Sequence, residues 1–161
     1  MYQNTEKYAL TNCTLLDGTE QMQPRTGMCV CIDGTRIAQV VAGNAPAGWR
    51  TIDLGGAYVM PGLINLHVHL PASGKPKKKA SDPKKLVKLI TSNGLMRRIG
   101  VKMCEGYAKT ELLSGVTTIR TVGGVADFDT TIRDLSAAGK ILAPRIAASD
   151  MAVSVPGGHM A

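Results

Sequence analysis

Over residues 8–54 apolar and polar side chains alternate in short runs broken by glycine-containing turns, the period-two signature of half-buried strands. Runs at 8–15, 27–32 and 36–41 are followed by the turn dipeptides Asp17-Gly18, Asp33-Gly34 and Gly43-Asn44. Asp-Gly between two alternating runs is a strong hairpin signal, because both residues tolerate the positive φ of a tight hairpin. The second and third runs are therefore expected to pair. A fourth run, 49–54, follows the loop Ala45-Pro46-Ala47-Gly48. Residues 1–58 read as a small antiparallel sheet, too small to bury a secure core alone.

From Val59 the period changes. An apolar run ends at His67-Val68-His69, and a Pro-, Gly- and Lys-rich loop follows over 70–80. Ser81-Asp82-Pro83 has the form of a helix start, with proline at the first helical position. Leu86, Leu89 and Ile90 give that helix an apolar face. A second helix is expected over 95–114, with Ile99, Met103, Leu112 and Leu113 facing inward. Gly115 can take the left-handed conformation that ends a helix, and the β-branched run after it favours a strand. A third helix, 127–138, carries Phe128, Ile132 and Leu135 at helical spacing, with Gly139 as its stop. Strand, helix, strand, helix, strand argues for an α/β unit with a parallel sheet and right-handed crossovers.

Composition leaves this picture in place. Apolar residues make up 44% and charged residues 19%, values of a globular chain, and no apolar run is long enough to span a bilayer. The first ten residues lack the basic-then-apolar layout of a secretory signal, so a cytoplasmic location is expected. Four cysteines agree with a reducing compartment. Cys29 and Cys31 share one strand face, where disulfide geometry is poor, and read as small buried packing residues, with a Cys-x-Cys metal site as the alternative.

The positive charge is local. Lys75, Lys77, Lys78, Lys79, Lys84, Lys85 and Lys88, opposed only by Asp82, account for nearly all of the formal +7. The segment has no aromatic residue for base stacking and no arginine for bidentate recognition, which counts against nucleic acid. It reads as a solvated loop, or as a border of the site mouth that attracts an anionic substrate.

The main chemical signal is His67-Val68-His69. On a strand, residues i and i+2 point to the same face, so the two imidazoles are expected side by side while Val68 faces the opposite layer. Two histidines at a strand end can be ordinary polar residues at a loop mouth. They can equally supply two of the ligands of a catalytic Zn²⁺ or similar divalent ion.

The flanks decide between these readings. Met60-Pro61-Gly62-Leu63-Ile64-Asn65-Leu66-His67-Val68-His69 closely resembles the first barrel strand of the amidohydrolase superfamily of metal-dependent hydrolases. The run from Leu112 through Gly115 to Gly124 resembles the second strand of its imidazolonepropionase-like and dipeptidase-like subgroup. Ala143-Pro144-Arg145-Ile146, with Pro156-Gly157-Gly158-His159 beyond it, resembles the next strand and its Gly-Gly-His loop. Asn65 stands where the family usually has Asp, keeping hydrogen-bonding capacity but not charge. Thr121 replaces an acidic residue common in relatives, and the partner of Arg120 is open.

The resemblance implies a partial β-sandwich over 1–58 and the N-terminal part of a (β/α)₈ barrel over 59–161. A whole barrel takes about 250 residues, so about three of eight strand-helix units fit, and the chain is expected to be the N-terminal portion of a larger enzyme. His67 and His69 would be metal ligands and His159 a substrate contact, with no catalytic residue within the chain. The cofactor implied is a divalent metal, zinc first, as one or two ions, completed by a carboxylated lysine, two histidines and an aspartate farther on. The activity implied is hydrolysis of an amide, peptide or cyclic amide bond by a metal-activated water, with a small-molecule amide or dipeptide as substrate. No nucleic acid and no membrane are expected as partners, and a homo-oligomer is left open for the full-length enzyme. The competing reading is a non-catalytic remnant or binding module with an incomplete metal site.

Overall fold

In a computed structural model, which describes residues 6–74 and 83–156, the chain divides into two compact units, Tyr2–Pro61 and Gly62–Ala161. Four of the loop lysines (Lys75, Lys77, Lys78 and Lys79), Asp82 and His159 lie outside the described residues.

The first unit holds β1 (Lys7–Leu15), β2 (Arg25–Asp33), β3 (Arg36–Ala42), β4 (Arg50–Asp53) and β5 (Tyr58–Val59). The strand order is β3-β2-β1-β4, with β5 also on β1. The expected hairpin is present: β2 and β3 pair antiparallel across Asp33-Gly34, with Gly34 at φ 60°. The expectation of an antiparallel sheet is corrected, because β4 and β5 both pair parallel to β1. After β3 the chain passes to the free edge of β1, beyond β2, and arrives running in the direction of β1. Both faces of the sheet carry apolar clusters. Cys13, Leu15, Met28 and Val30 form one, and Ala9, Cys29 and Cys31, with Trp49 against them, form the other.

The second unit alternates as its sequence implies. It contains β6 (Leu63–Val68), α1 (Pro83–Ile90), α2 (Gly94–Leu113), β7 (Val116–Thr121), α3 (Phe128–Ala137) and β8 (Arg145–Ala147). The three strands form a parallel sheet in the order β6-β7-β8. The entry to β6 is tightly specified. A Cβ on Gly62 would collide with the Thr117 side chain, and the Leu63 amide donates to Gly115 O at 2.9 Å. Asn93 caps α2, its side chain accepting from the amides of Leu95 and Met96.

The inner face of α2 differs from the expected one. Of the expected residues Met103 packs against the core, but Ile99 and Leu113 are exposed, and the buried residues are Gly100, Cys104 and Ala108. Small residues at i, i+4 and i+8 let α2 approach α3 closely, and a Cβ on Gly100 would lie 2.7 Å from the Phe128 ring. Phe128 and Ile132 of α3 are fully buried, as their spacing implies, and join Val68, Leu70, Ile90, Ile119 and Ile146 in the core of this unit.

Candidate functional site

Val68 turns into that core, so the residues on either side of it turn away, and the period of β6 carries His67 and His69 to one place. Their ring centroids are 5.3 Å apart with planes 75° to each other. Both line a cavity of about 330 Å³ that also takes in Asn65, with Tyr107, Thr110 and Glu111 of α2 on its wall.

His69 is held through its ring by a backbone carbonyl, and His67 through its amide by a side chain. His69 Nδ1 lies 2.9 Å from the carbonyl oxygen of Gly123, which can only accept, so Nδ1 carries a proton and in the neutral ring Nε2 has the lone pair. Asn65 Oδ1 accepts from the His67 amide at 3.2 Å, holding the last turn of β6 by a side chain that has no charge. An imidazole that donates one nitrogen to a carbonyl and leaves the other free is the usual form of a metal-ligating histidine. His69 has that form, and His67 sets a second imidazole beside it, so their donor chemistry fits a divalent ion. Among the described residues no group of three His, Cys, Asp or Glu could hold a metal ion.

Gly123 is the hinge of the arrangement. Its φ is 127°, and a Cβ there would lie 2.8 Å from Ala152 Cβ. Below the loop it belongs to lies a buried polar group that sequence reasoning missed. Asp129, in the first turn of α3, has no exposed surface. Thr121 Oγ1 donates to its Oδ2 at 2.6 Å, the Asp150 amide donates to the same oxygen at 3.1 Å, and the Thr130 amide donates to Oδ1 at 2.8 Å. Thr121 Oγ1 in turn accepts from the Ser149 amide at 2.9 Å. A carboxylate near a helix N-terminus is favourably placed, and three donors meet the cost of its burial. No local pattern in the sequence marks this pair, because the acid stands eight residues after the threonine that donates to it.

Arg120 finds its partner in backbone, Nε donating to Leu66 O at 2.9 Å, which ties β7 to β6 one residue before His67. The thiol of Cys104, beneath the site on α2, is pushed up to about 12, first by burial and then by the charge of Asp129. Of the lysine cluster, Lys84, Lys85 and Lys88 stand exposed on α1.

No family model matches the chain, and no curated protein matches it. Solved structures do. A protein described as a prolidase from Bifidobacterium longum is 33% identical, with a TM-score of 0.72, over 96% of this chain and 33% of its own. A Xaa-Pro dipeptidase with methionine bound in its active site is 25% identical, with a TM-score of 0.74, over 96% of this chain and 36% of its own. A prolidase complexed with N-methylphosphonate-L-proline is 27% identical, with a TM-score of 0.73, over 95% and 34%. The chain spans about a third of the length of the structures it matches. The histidine pair, the strand-helix order and these likenesses agree: the chain corresponds to the N-terminal portion of amidohydrolase-superfamily enzymes.

Proposed function

We propose that the chain forms the N-terminal, metal-binding portion of a metal-dependent amidohydrolase, cleaving an amide or dipeptide C–N bond. In this reading residues 1–58 belong to a β-sandwich and residues 59–161 open a (β/α)₈ barrel. The observation that carries it is the paired placement of His67 and His69 on one cavity wall, with the second nitrogen of His69 engaged by Gly123 O.

His67 and His69 would hold the ion, zinc first, through nitrogens that the fold leaves free. A bound divalent ion supplies a water that ionises near pH 7 and polarises a carbonyl. The chain's own residues do the rest on this side of the site. Gly123 O keeps the His69 proton on Nδ1, and Asn65 fixes the backbone of His67. Tyr107 and Glu111 offer a hydroxyl and a carboxylate on the cavity wall, suited to the polar ends of a dipeptide. His159 would contact the substrate, and the lysine-rich segment would border the mouth. Among the described residues no helix is long and apolar enough to cross a membrane. The four free cysteines suit a reducing compartment, and we assign the cytoplasm on that ground.

The test is Zn²⁺ or Co²⁺ titration followed by calorimetry or by the Co²⁺ ligand-field spectrum. Wild type should take up the ion weakly, and His67→Ala or His69→Ala should lower affinity about tenfold or more. Uptake unchanged by both substitutions would overturn the reading. A second reading, a binding module with an incomplete metal site, is favoured by the absence of a third donor among the described residues. Hydrolysis of Xaa-Pro dipeptides by the full-length protein decides between the two. The 161-residue chain alone is expected to show no appreciable turnover, because two imidazoles leave an ion short of ligands.

A further inference from the structure

Three hydrogen bonds lead from the buried carboxylate of Asp129 to the ring of His69, and a fourth, from Thr121, holds the carboxylate itself. Asp129 Oδ2 accepts from Thr121 Oγ1 and from the Asp150 amide. The Asp150 carbonyl accepts from the Gly124 amide at 2.8 Å, and the next carbonyl back along that chain, Gly123 O, faces His69 Nδ1 at 2.9 Å. The contact is also steric. A Cβ on Gly124 would lie 3.3 Å from Asp129 Cγ and Oδ1, so the loop rests directly on the carboxylate. Asp150 sits at φ 65°, a conformation that Asp tolerates and that bonds on both sides of it hold in place.

We infer that Asp129 is a positioning residue for the histidine pair. Through Thr121 and Asp150 it sets the height and direction of the Gly123 carbonyl, and that carbonyl selects the His69 tautomer whose Nε2 is free. The inference deepens the metal reading by naming what prepares His69, and it rests on that reading only for its use, since the tautomer is a property of the metal-free chain.

Long-range ¹H–¹⁵N NMR of the histidine side chains measures it directly, since the two tautomers give distinct nitrogen shifts. In the wild-type chain without metal, His69 should be the Nδ1–H form. Thr121→Val removes the hydroxyl that bridges Asp129 and Ser149, and should move His69 to a mixture of tautomers while leaving His67 unchanged. Thr121→Ser keeps the oxygen and should restore the wild-type pattern. Asp129→Asn cannot satisfy all three donors with one carbonyl oxygen, and should shift His69 in the same direction, so the test survives if Thr121→Val does not fold. Ile132→Val, a core change on the same helix, should leave His69 as it is.

A His69 that keeps the Nδ1–H form in both network variants, or that moves equally in Ile132→Val, overturns the inference and leaves the metal reading untouched. The shift in the network variants together with failure of wild type to bind Zn²⁺ supports the inference and removes the metal reading instead. Where both stand, Zn²⁺ affinity should fall about 10- to 100-fold in Thr121→Val and recover in Thr121→Ser.

Discussion

Cys29-Val30-Cys31 on β2 and His67-Val68-His69 at the end of β6 are the same pattern twice: two soft-metal-capable side chains at i and i+2 with a buried valine between them. The strand period acts identically on both, bringing the sulfurs to 3.7 Å and the imidazole centroids to 5.3 Å. What differs is the surface each pair meets. The thiols face Ala9 and Trp49 with no exposure, and burial, followed by the neighbouring Cys31, pushes Cys29 up to about 11. The imidazoles face a cavity and have a backbone carbonyl waiting. Spacing therefore fixes geometry, and the facing layer decides whether the pair is packed away or opens onto a cavity.

The largest expected effect comes from exchanging the chemistry of the two pairs. Cys31→Asp places a charge at a fully buried position beside Ala9 and Cys29, and should destabilise the chain by about 3–5 kcal/mol in denaturant unfolding. His67→Asp meets solvent at the cavity, and should change stability by less than about 0.5 kcal/mol. Equal costs at the two positions would end the distinction between a buried pair and a cavity-facing pair.

The alkaline behaviour of the thiols tests the same contrast from the buried side. The Cys29 and Cys104 thiols are raised in the folded chain, so the folded state holds their protons longer than the unfolded chain does. Their contribution is fully present below the ordinary thiol value of about 8.5. It is lost as pH rises from there through about 11 for Cys29 and about 12 for Cys104, because the unfolded state then binds fewer protons. Urea midpoints should fall across that window. Thiol reagents at pH 8 should label none of the four cysteines until the chain unfolds, since all are buried and free.

How much of this was legible in sequence follows from the range of each signal. The histidine pair and the β2-β3 hairpin depend on residues within two or three positions, and both are where the pattern places them. The parallel pairing of β4 and β5 with β1 was not legible, because it depends on which edge the chain reaches after Ala42 and not on any local run. The inner face of α2 was misread because Gly100, Cys104 and Ala108 are small, and hydrophobic periodicity weights Ile99 and Leu113 above them. Asp129 escaped because a lone acid in a first helical turn has an ordinary explanation in the helix dipole. Only its partners, Thr121 eight residues before and Asp150 twenty-one after, reveal it as the anchor of a loop.

The smallest expected effect sharpens the comparison from the histidine side. Asn65→Asp keeps the oxygen that accepts from the His67 amide and adds one negative charge to the cavity wall. Because the strand geometry is unchanged, any gain in Zn²⁺ affinity is electrostatic. An exposed charge near a site contributes about 0.2–1 kcal/mol, which is less than about fivefold in affinity. The gain should shrink as salt rises, since the screening length falls from about 10 Å at 0.1 M to about 3 Å at 1 M. Calorimetric titration at the two salt concentrations separates the outcomes. A modest, salt-sensitive gain means that geometry was already set by the strand and the carbonyl of Gly123, with charge as an adjustment. A gain of a hundredfold that salt does not touch would mean that the carboxylate had become a direct ligand, and that the pair alone had never been half of a site.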